Sequence, residues 1–250
     1  MKDNIILEKK DNIGIITLNR ENVLNAWNKE MRLKICDIFK EIKNKNNLKA
    51  IVFTGSGNKA FCAGQDLNEF KDFNENTIDS WIDEFKNVYT AVRSAEIPVI
   101  SAINGAAVGS GFQLALLTDI RVSHKDAKFG QVEINSGVVS VIGPWIIKEV
   151  LGLSKAIELT LTGRLVTGEE AFNNEIIHHL TNRSKVMGLS MKIAKELSEK
   201  PEKAMKFTKR RLWENFKKGM EETFESAKKY HKLSFQSGEP QNISKNFLNK

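Results

Sequence analysis

The sequence predicts an α/β fold on three observations. β-branched runs alternate with amphipathic helical segments from residue 5 to residue 124, the pattern of crossover units that return strands to a shared sheet. Two glycine-rich loops each follow directly on such a run, and the second opens into an apolar helix. After about residue 145 the character changes to long helical stretches, interrupted at Gly163, Gly168 and Pro201 and lacking clear strands.

Along the chain, Ile5 to Leu7 and Gly14 to Leu18 are short strand runs parted by the polar Lys9-Lys10-Asp11-Asn12, a hairpin-like start. Residues 28–43 set Met31, Ile35, Ile38, Phe39 and Ile42 at helical spacing with charges on the other face. Ala50 to Thr54 reads as a buried strand, and a glycine-punctuated loop runs on to Asp66. Residues 76–93 are again helical in pattern. Pro98 opens the strand PVISAI, the loop NGAAVGSG follows, and FQLALLTDI reads as a helix before the strand IRVSH. Residues 1–182 are expected to form an α/β core, with 183–250 a helical region of the same unit.

Hydrophobic residues make up 41% of the 250, a balance too apolar for an intrinsically disordered chain and enough for one sizeable core. Two cysteines, Cys36 and Cys62, exclude a disulfide scaffold and a multi-cysteine zinc site and fit the reducing cytoplasm. No stretch approaches the roughly 18 apolar residues of a membrane span. The start, MKDNIILEKKDN, has charges on both sides of a short apolar run and does not read as a secretory signal. The net charge of +7 is uneven, since residues 183–250 hold 17 Lys and Arg against 8 Asp and Glu. Such a region suits an anionic partner (nucleic acid, a membrane surface or a phosphorylated small molecule) or, as the simpler expectation, a solvated helical face. Phe207, Trp213 and Phe216 lie among its cations, but at a helical spacing that suits a core better than base stacking.

The two loops are the segments that can carry chemistry. Ala60 to Leu67 (AFCAGQDL) follows the strand AIVFT, and Asn104 to Gly111 (NGAAVGSG) follows PVISAI. Small residues let a ligand approach the backbone, and N–H groups at a helix start favour developing negative charge. Two such loops converging on one carbonyl oxygen make an oxyanion hole, worth about 3 kcal/mol per donor in a transition state. A nucleotide phosphate loop is disfavoured, because no Lys-Ser/Thr follows the glycines and GxGxxG is missing.

Five segments, NRENVLNAWN (19–28), GNKAFCAGQDLNEF (57–70), IPVISAINGAAVGSGFQLALLTDIRVS (97–123), KFGQVEINSGV (128–138) and LTGRLVTGEEA (161–171), together resemble the crotonase, or enoyl-CoA hydratase/isomerase, superfamily. The resemblance covers essentially the whole chain. It implies a spiral of ββα/βαβ units with a helical C-terminal trimerisation region, assembly as a homotrimer or a dimer of trimers, and an acyl-CoA substrate. Coenzyme A then arrives as part of the substrate, and no separate cofactor or metal is expected. By position, the oxyanion-hole donors fall on the backbone N–H groups of Gln65 and Ser110. Ser110 stands where the family usually has a glycine. Val23, Leu24, Ala63, Asp66, Leu67, Asn68 and Gly109 align with segments around the CoA and acyl site. Asn22 stands where a basic residue sometimes occurs, so one phosphate contact is expected to be missing.

The departures are informative. Hydratases of this family use two glutamates 20 residues apart; here those positions are Gln113 and Glu133. Two carboxylates can share and deprotonate a water, whereas a glutamine can only orient one. One retained glutamate is the pattern that the resemblance associates with Δ3,Δ2-enoyl-CoA isomerases. After it, Ser140-Val141-Ile142-Gly143-Pro144-Trp145 replaces a run of small residues. Val141 and Ile142 are expected to exclude water and raise the pKa of Glu133, and Trp145 to be core or acyl-site wall. Asp66 and Asp119 read as loop-fixing residues and Cys62 as a packed thiol; His178 and His179 lack partners at metal spacing. The expected activity is enoyl-CoA isomerisation with Glu133 as acid and base. The alternatives are hydration or dehydration with a water held by Gln113, decarboxylation or thioester hydrolysis, and, in a different class, RNA binding.

Overall fold

The computed structural model describes residues 3–45, 47–72 and 75–248. β1 (Ile5–Lys10) and β2 (Ile13–Leu18) form an antiparallel hairpin with Ile5 opposite Leu18. α1 (Lys29–Lys45) follows and buries Met31, Ile35, Ile38, Phe39 and Ile42, the stripe its spacing predicts. Strands then come in consecutive pairs. β3 (Ala50–Gly55) and β4 (Ala60–Cys62) precede α2 (Glu75–Arg93). β5 (Val99–Ala102) and β6 (Ala106–Val108) precede α3 (Ser110–Leu117), and β7 (Ile120–His124) and β8 (Lys128–Gly130) precede α4 (Ile142–Leu151) and α5 (Leu153–Thr162). The rest is β9 (Val166–Thr167), α6 (Gly168–Asn173), β10 (His179–Thr181), α7 (Val186–Ser198), the long α8 (Glu202–Gln236) and α9 (Glu239–Leu248).

The first strand of each pair enters a six-stranded sheet ordered β1-β2-β3-β5-β7-β10, and the second enters a four-stranded sheet ordered β4-β6-β8-β9. β3, β5 and β7 are parallel neighbours in one, as are β4, β6 and β8 in the other. Each turn of the chain therefore adds one strand to each sheet. This is the expected spiral, and it stacks the loops that leave β4 and β6 beside one another. The side chains of β3 alternate between two cores. Ile51 and Phe53 face the main apolar cluster, and Ala50 and Val52 face a smaller one completed by Val186 and Ala194 of α7.

Two expectations need correction. Residues 145–180 are not strandless: β9 pairs with β8, and β10 begins in this stretch and adds to the large sheet beside β7. Strands of two and three residues are too short to show a period and exist only through their partners. The helix read as FQLALLTDI stops at Leu117, because Thr118 is extended and its hydroxyl donates to the Ala115 carbonyl at 2.7 Å.

The basic C-terminal region meets acids. Lys228 and Lys232 of α8 lie 2.7 Å from Asp83 and Asp79 of α2, and Lys206 and Arg210 reach Glu96. These exposed pairs contribute little each. Trp213 and Phe216 pack inward, but Phe207 is 56% exposed and is not the core residue expected. Lys209 differs from its neighbours. It is buried, its Nζ lies 2.6 Å from both carboxylate oxygens of Asp119, and that carboxylate also accepts the Val99 N–H and lies 3.6 Å from Arg93. Asp119 thus fixes its loop as expected, through a partner 90 residues away.

Asp119→Ala leaves Lys209 buried without its counter-charge and is expected to cost roughly 3 kcal/mol in chemical denaturation. Lys209→Met, which leaves Asp119 its Val99 and Arg93 partners, is expected to cost less. The reverse order would contradict this account of the buried pair.

Candidate active site

The loops after β4 and β6 meet edge to edge. Gly64 has φ +97° and Gly109 φ +56°, values that side chains rarely adopt. A Cβ on Gly64 would stand 2.8 Å from the Val108 carbonyl oxygen and 3.5 Å from the Ser110 nitrogen, so glycine is what allows the approach. Trp27 holds both loops. Its N–H donates to the Gly64 carbonyl at 2.9 Å, its carbonyl accepts the Asp66 N–H, and its indole Nε1 donates to Ser110 Oγ at 2.8 Å. That pairing turns the Gln65 N–H away from Trp27, and the Ser110 N–H, at the first turn of α3, lacks a helical acceptor. Among the described residues neither N–H meets a protein acceptor, and both residues line one cavity.

The first loop is braced from below. Arg32, buried on α1, donates to Gln65 Oε1 at 3.0 Å and pairs with Glu69 and Glu84 at 3.1 and 2.7 Å. Arg20 lies 2.8 Å from Asp66, whose Oδ1 accepts the Asn68 N–H. Asp66 is a loop-fixing residue, as expected.

The cavity has a volume of about 320 Å³ and mostly apolar walls, with Ile82, Phe85, Val138, Val141 and Ile142 among them. Glu133 enters it from the short 3-10 turn Glu133–Ser136 that follows β8. The residue as a whole is half-buried, but its Oε2 is sealed from solvent and has no protein partner among the described residues. Burial pushes its pKa from an ordinary 4.5 up to about 7. Val141 and Ile142 stand in the wall of the same cavity, where they were expected.

Gln113 of α3 touches this carboxylate. Its Nε2 donates to Glu133 Oε1 at 3.1 Å and to Gln131 Oε1 at 3.3 Å, while its own oxygen accepts the Tyr89 hydroxyl at 2.8 Å. Burial and the nearby Glu133 keep the Tyr89 hydroxyl protonated well beyond its ordinary range, so Tyr89 fixes which end of the amide faces the acid. A Cβ on Gly109 would lie 3.1 Å from Glu133 Oε1, which brings the second glycine loop directly against the carboxylate.

The structure thus gathers Ala63, Gln65, Leu67, Gly109, Ser110, Gln113, Glu133 and Val141 around one space. It does not bring the other candidates there. Val23 ends a short turn and Leu24 is 44% exposed, tied to the loop only by the Ala63 N–H on its carbonyl. Asn68 is exposed beside Asp66. Trp145 is turned away, because α4 starts at Ile142 and carries it round to face α8. There it packs on Phe216 at 4.5 Å and borders a second cavity of about 550 Å³ that shares Val141 with the first. Sequence reasoning missed Trp27, Tyr89, Trp81, Gln131 and His231. Each is a single side chain on a helix or loop outside the glycine segments, and only packing shows its role.

Comparison with known proteins agrees with this layout. The Enoyl-CoA hydratase/isomerase family model matches residues 8–250. A short-chain-enoyl-CoA hydratase of Clostridium acetobutylicum is 29% identical over 211 residues, 84% of this chain and 81% of that one. A carboxymethylproline synthase of Pectobacterium carotovorum is 28% identical over 244 residues, 97% and 98% of the two chains. The crystal structure of an enoyl-CoA hydratase/isomerase from Mycobacterium paratuberculosis superimposes with a TM-score of 0.90 at 25% identity, covering 98% of this chain and 99% of that one. With the paired strands, the two abutting glycine loops and the enclosed glutamate in the order the family requires, the chain belongs to the enoyl-CoA hydratase/isomerase family.

Proposed function

We propose that this enzyme forms a thioester enolate with one carboxylate, and that its reaction is enoyl-CoA isomerisation. The observation that carries the reading is the pairing of a sealed Glu133 with a glutamine that cannot titrate. Glu133 takes a proton from C2 of a 3-enoyl thioester, the Gln65 and Ser110 N–H groups hold the resulting dienolate oxygen, and Glu133 returns the proton to C4. Atoms and charge balance with no water consumed. Gln113, held by Tyr89, orients the carboxylate. Most relatives carry hydratase names, and those reactions need an activated water; the apolar walls and the absence of a second carboxylate at position 113 argue against one here. A second reading is favoured by the near end-to-end alignment with the carboxymethylproline synthase: the same enolate captured by a carbon electrophile before reprotonation.

CoA enters with the substrate, and the location we propose is cytoplasmic, in keeping with free Cys36 and Cys62 and with no helix among the described residues able to cross a membrane. Self-association, as a homotrimer or a dimer of trimers, is supported by an apolar stripe on α5, where Leu153, Ile157 and Leu161 are 60%, 51% and 66% exposed at four-residue spacing.

The deciding assay sets conversion of 3-enoyl-CoA to 2-enoyl-CoA against hydration of crotonyl-CoA; faster hydration by the wild type would sink the isomerase reading. Isomerisation kcat/KM is expected to rise with pH to a plateau above about 7, since the base must be ionised. Gln113→Glu supplies the second carboxylate and is expected to raise crotonyl-CoA hydration at least about tenfold while lowering isomerisation. Glu133→Gln is expected to lose about 100-fold or more in turnover and in C2 deuterium exchange. It should nonetheless be more stable at pH 8. Between pH 4.5 and about 7 the folded wild type holds more protons than the unfolded chain, so rising pH destabilises it. The gain is roughly 1–3 kcal/mol at pH 8 and vanishes below about pH 4, measured by denaturant melts.

A further inference from the structure

We propose that the wall formed by Trp81 and His231 is a polar subsite, where His231 hydrogen-bonds an oxygen function on the tail of the acyl group; this rests on the acyl-CoA reading above. His231 lies on α8, far in sequence from the catalytic segments, yet it lines the same cavity as Glu133. It is only 5% exposed, and among the described residues neither ring nitrogen has a protein partner, with Nδ1 sealed from solvent. Nδ1 is closed off from the cavity as it is from bulk solvent, so Nε2, which has no protein partner among the described residues, is the nitrogen that a ligand in this cavity can meet.

Trp81 meets the ring edge-on, with centroids 5.1 Å apart at 89°, and donates its own indole N–H to Gln65 Oε1 at 3.3 Å. Of the acids of α2, Asp83 pairs with Lys228 and Asp79 pairs with Lys232 through Oδ2, while Asp79 Oδ1 is buried without a partner among the described residues. Trp81 therefore links the first glycine loop to the imidazole. The subsite and the thioester end of the cavity share one rigid wall.

Burial pushes the His231 pKa down to about 4, so the ring is neutral near pH 7 and offers one donor and one acceptor. A hydroxyl tail can accept from or donate to Nε2 in either tautomer, and a keto tail can accept from it when Nε2 carries the proton. Among the described residues no Lys or Arg lines the cavity, so a carboxylate tail fits by bringing a proton to the imidazole. A hydrocarbon tail leaves Nε2 desolvated and unpaired, a loss on the order of tenfold or more in affinity.

The test uses unreactive thioether analogues of acyl-CoA, matched in length and ending in methyl, hydroxyl or carboxylate, with binding measured by calorimetry. On the wild-type protein the hydroxyl tail is expected to bind at least about tenfold tighter than the methyl tail. Proton uptake, read in buffers of different ionisation heat, separates a carboxylate-binding site from a hydroxyl-binding one. His231→Phe is expected to abolish the preference, and His231→Gln, which can still donate and accept, to keep part of it. Equal binding of the three tails by the wild type, or a preference that survives in His231→Phe, would overturn the subsite. Should either variant fail to fold, the wild-type ratio alone decides. Failure of every analogue to bind would overturn the acyl-CoA reading and the subsite with it. Binding without tail preference overturns the subsite alone.

Discussion

Everything at this site is arranged around a carboxylate placed where ionisation is costly. Glu133 sits at the start of a one-turn segment after β8, with its Oε2 closed from water and Val141 and Ile142 in the surrounding wall. Burial brings its pKa close to neutrality, where a group can both take and return a proton at similar cost. The same burial works against the fold at high pH, as groups tuned for reactivity commonly do.

The spiral is what lets the chain hold that carboxylate against two free N–H groups. Each turn lays one strand in each sheet, so the loops after β4 and β6 leave the small sheet as neighbours. Neighbouring loops with side chains would be held apart. Gly64 and Gly109 remove the obstruction, and Trp27 ties the two together with one indole and two backbone hydrogen bonds. The polar relay Tyr89–Gln113–Glu133 then crosses from α2 to α3 to the turn after β8, three elements that the winding brings into register. α8 covers the open side and contributes His231, while its cations face Asp79, Asp83, Glu96 and Asp119. Much of the basic surplus of the C-terminal region is therefore matched by acids of the core.

A large part of this was legible from residues alone, and the reason differs by element. α1 and the strand Ala50–Gly55 follow from periodicity and continuous apolarity, which register burial directly. The glycine loops were legible because a left-handed backbone and a close approach leave few alternatives to glycine. Glu133 and Gln113 were legible by their place in a recognised pattern. β9 and β10 were not, since two or three residues carry no period. Phe207 was misjudged, and Trp145 packs on the core rather than in the acyl-site wall, because an aromatic side chain announces apolarity but not direction. A one-residue difference in where a helix starts decides which way it points.

The sequence by itself determined the α/β class, the pair of glycine loops and the single carboxylate, because each rests on local backbone chemistry or on one side chain's capacity to titrate. Only the tertiary structure decided what that carboxylate is. The direction of its pKa shift was expected from the sequence, but how far it moves, its contact with Gln113 and the sharing of its cavity with His231 depend on which distant surfaces close around it. Desolvation is a property of the enclosure, and no single segment of the chain contains it.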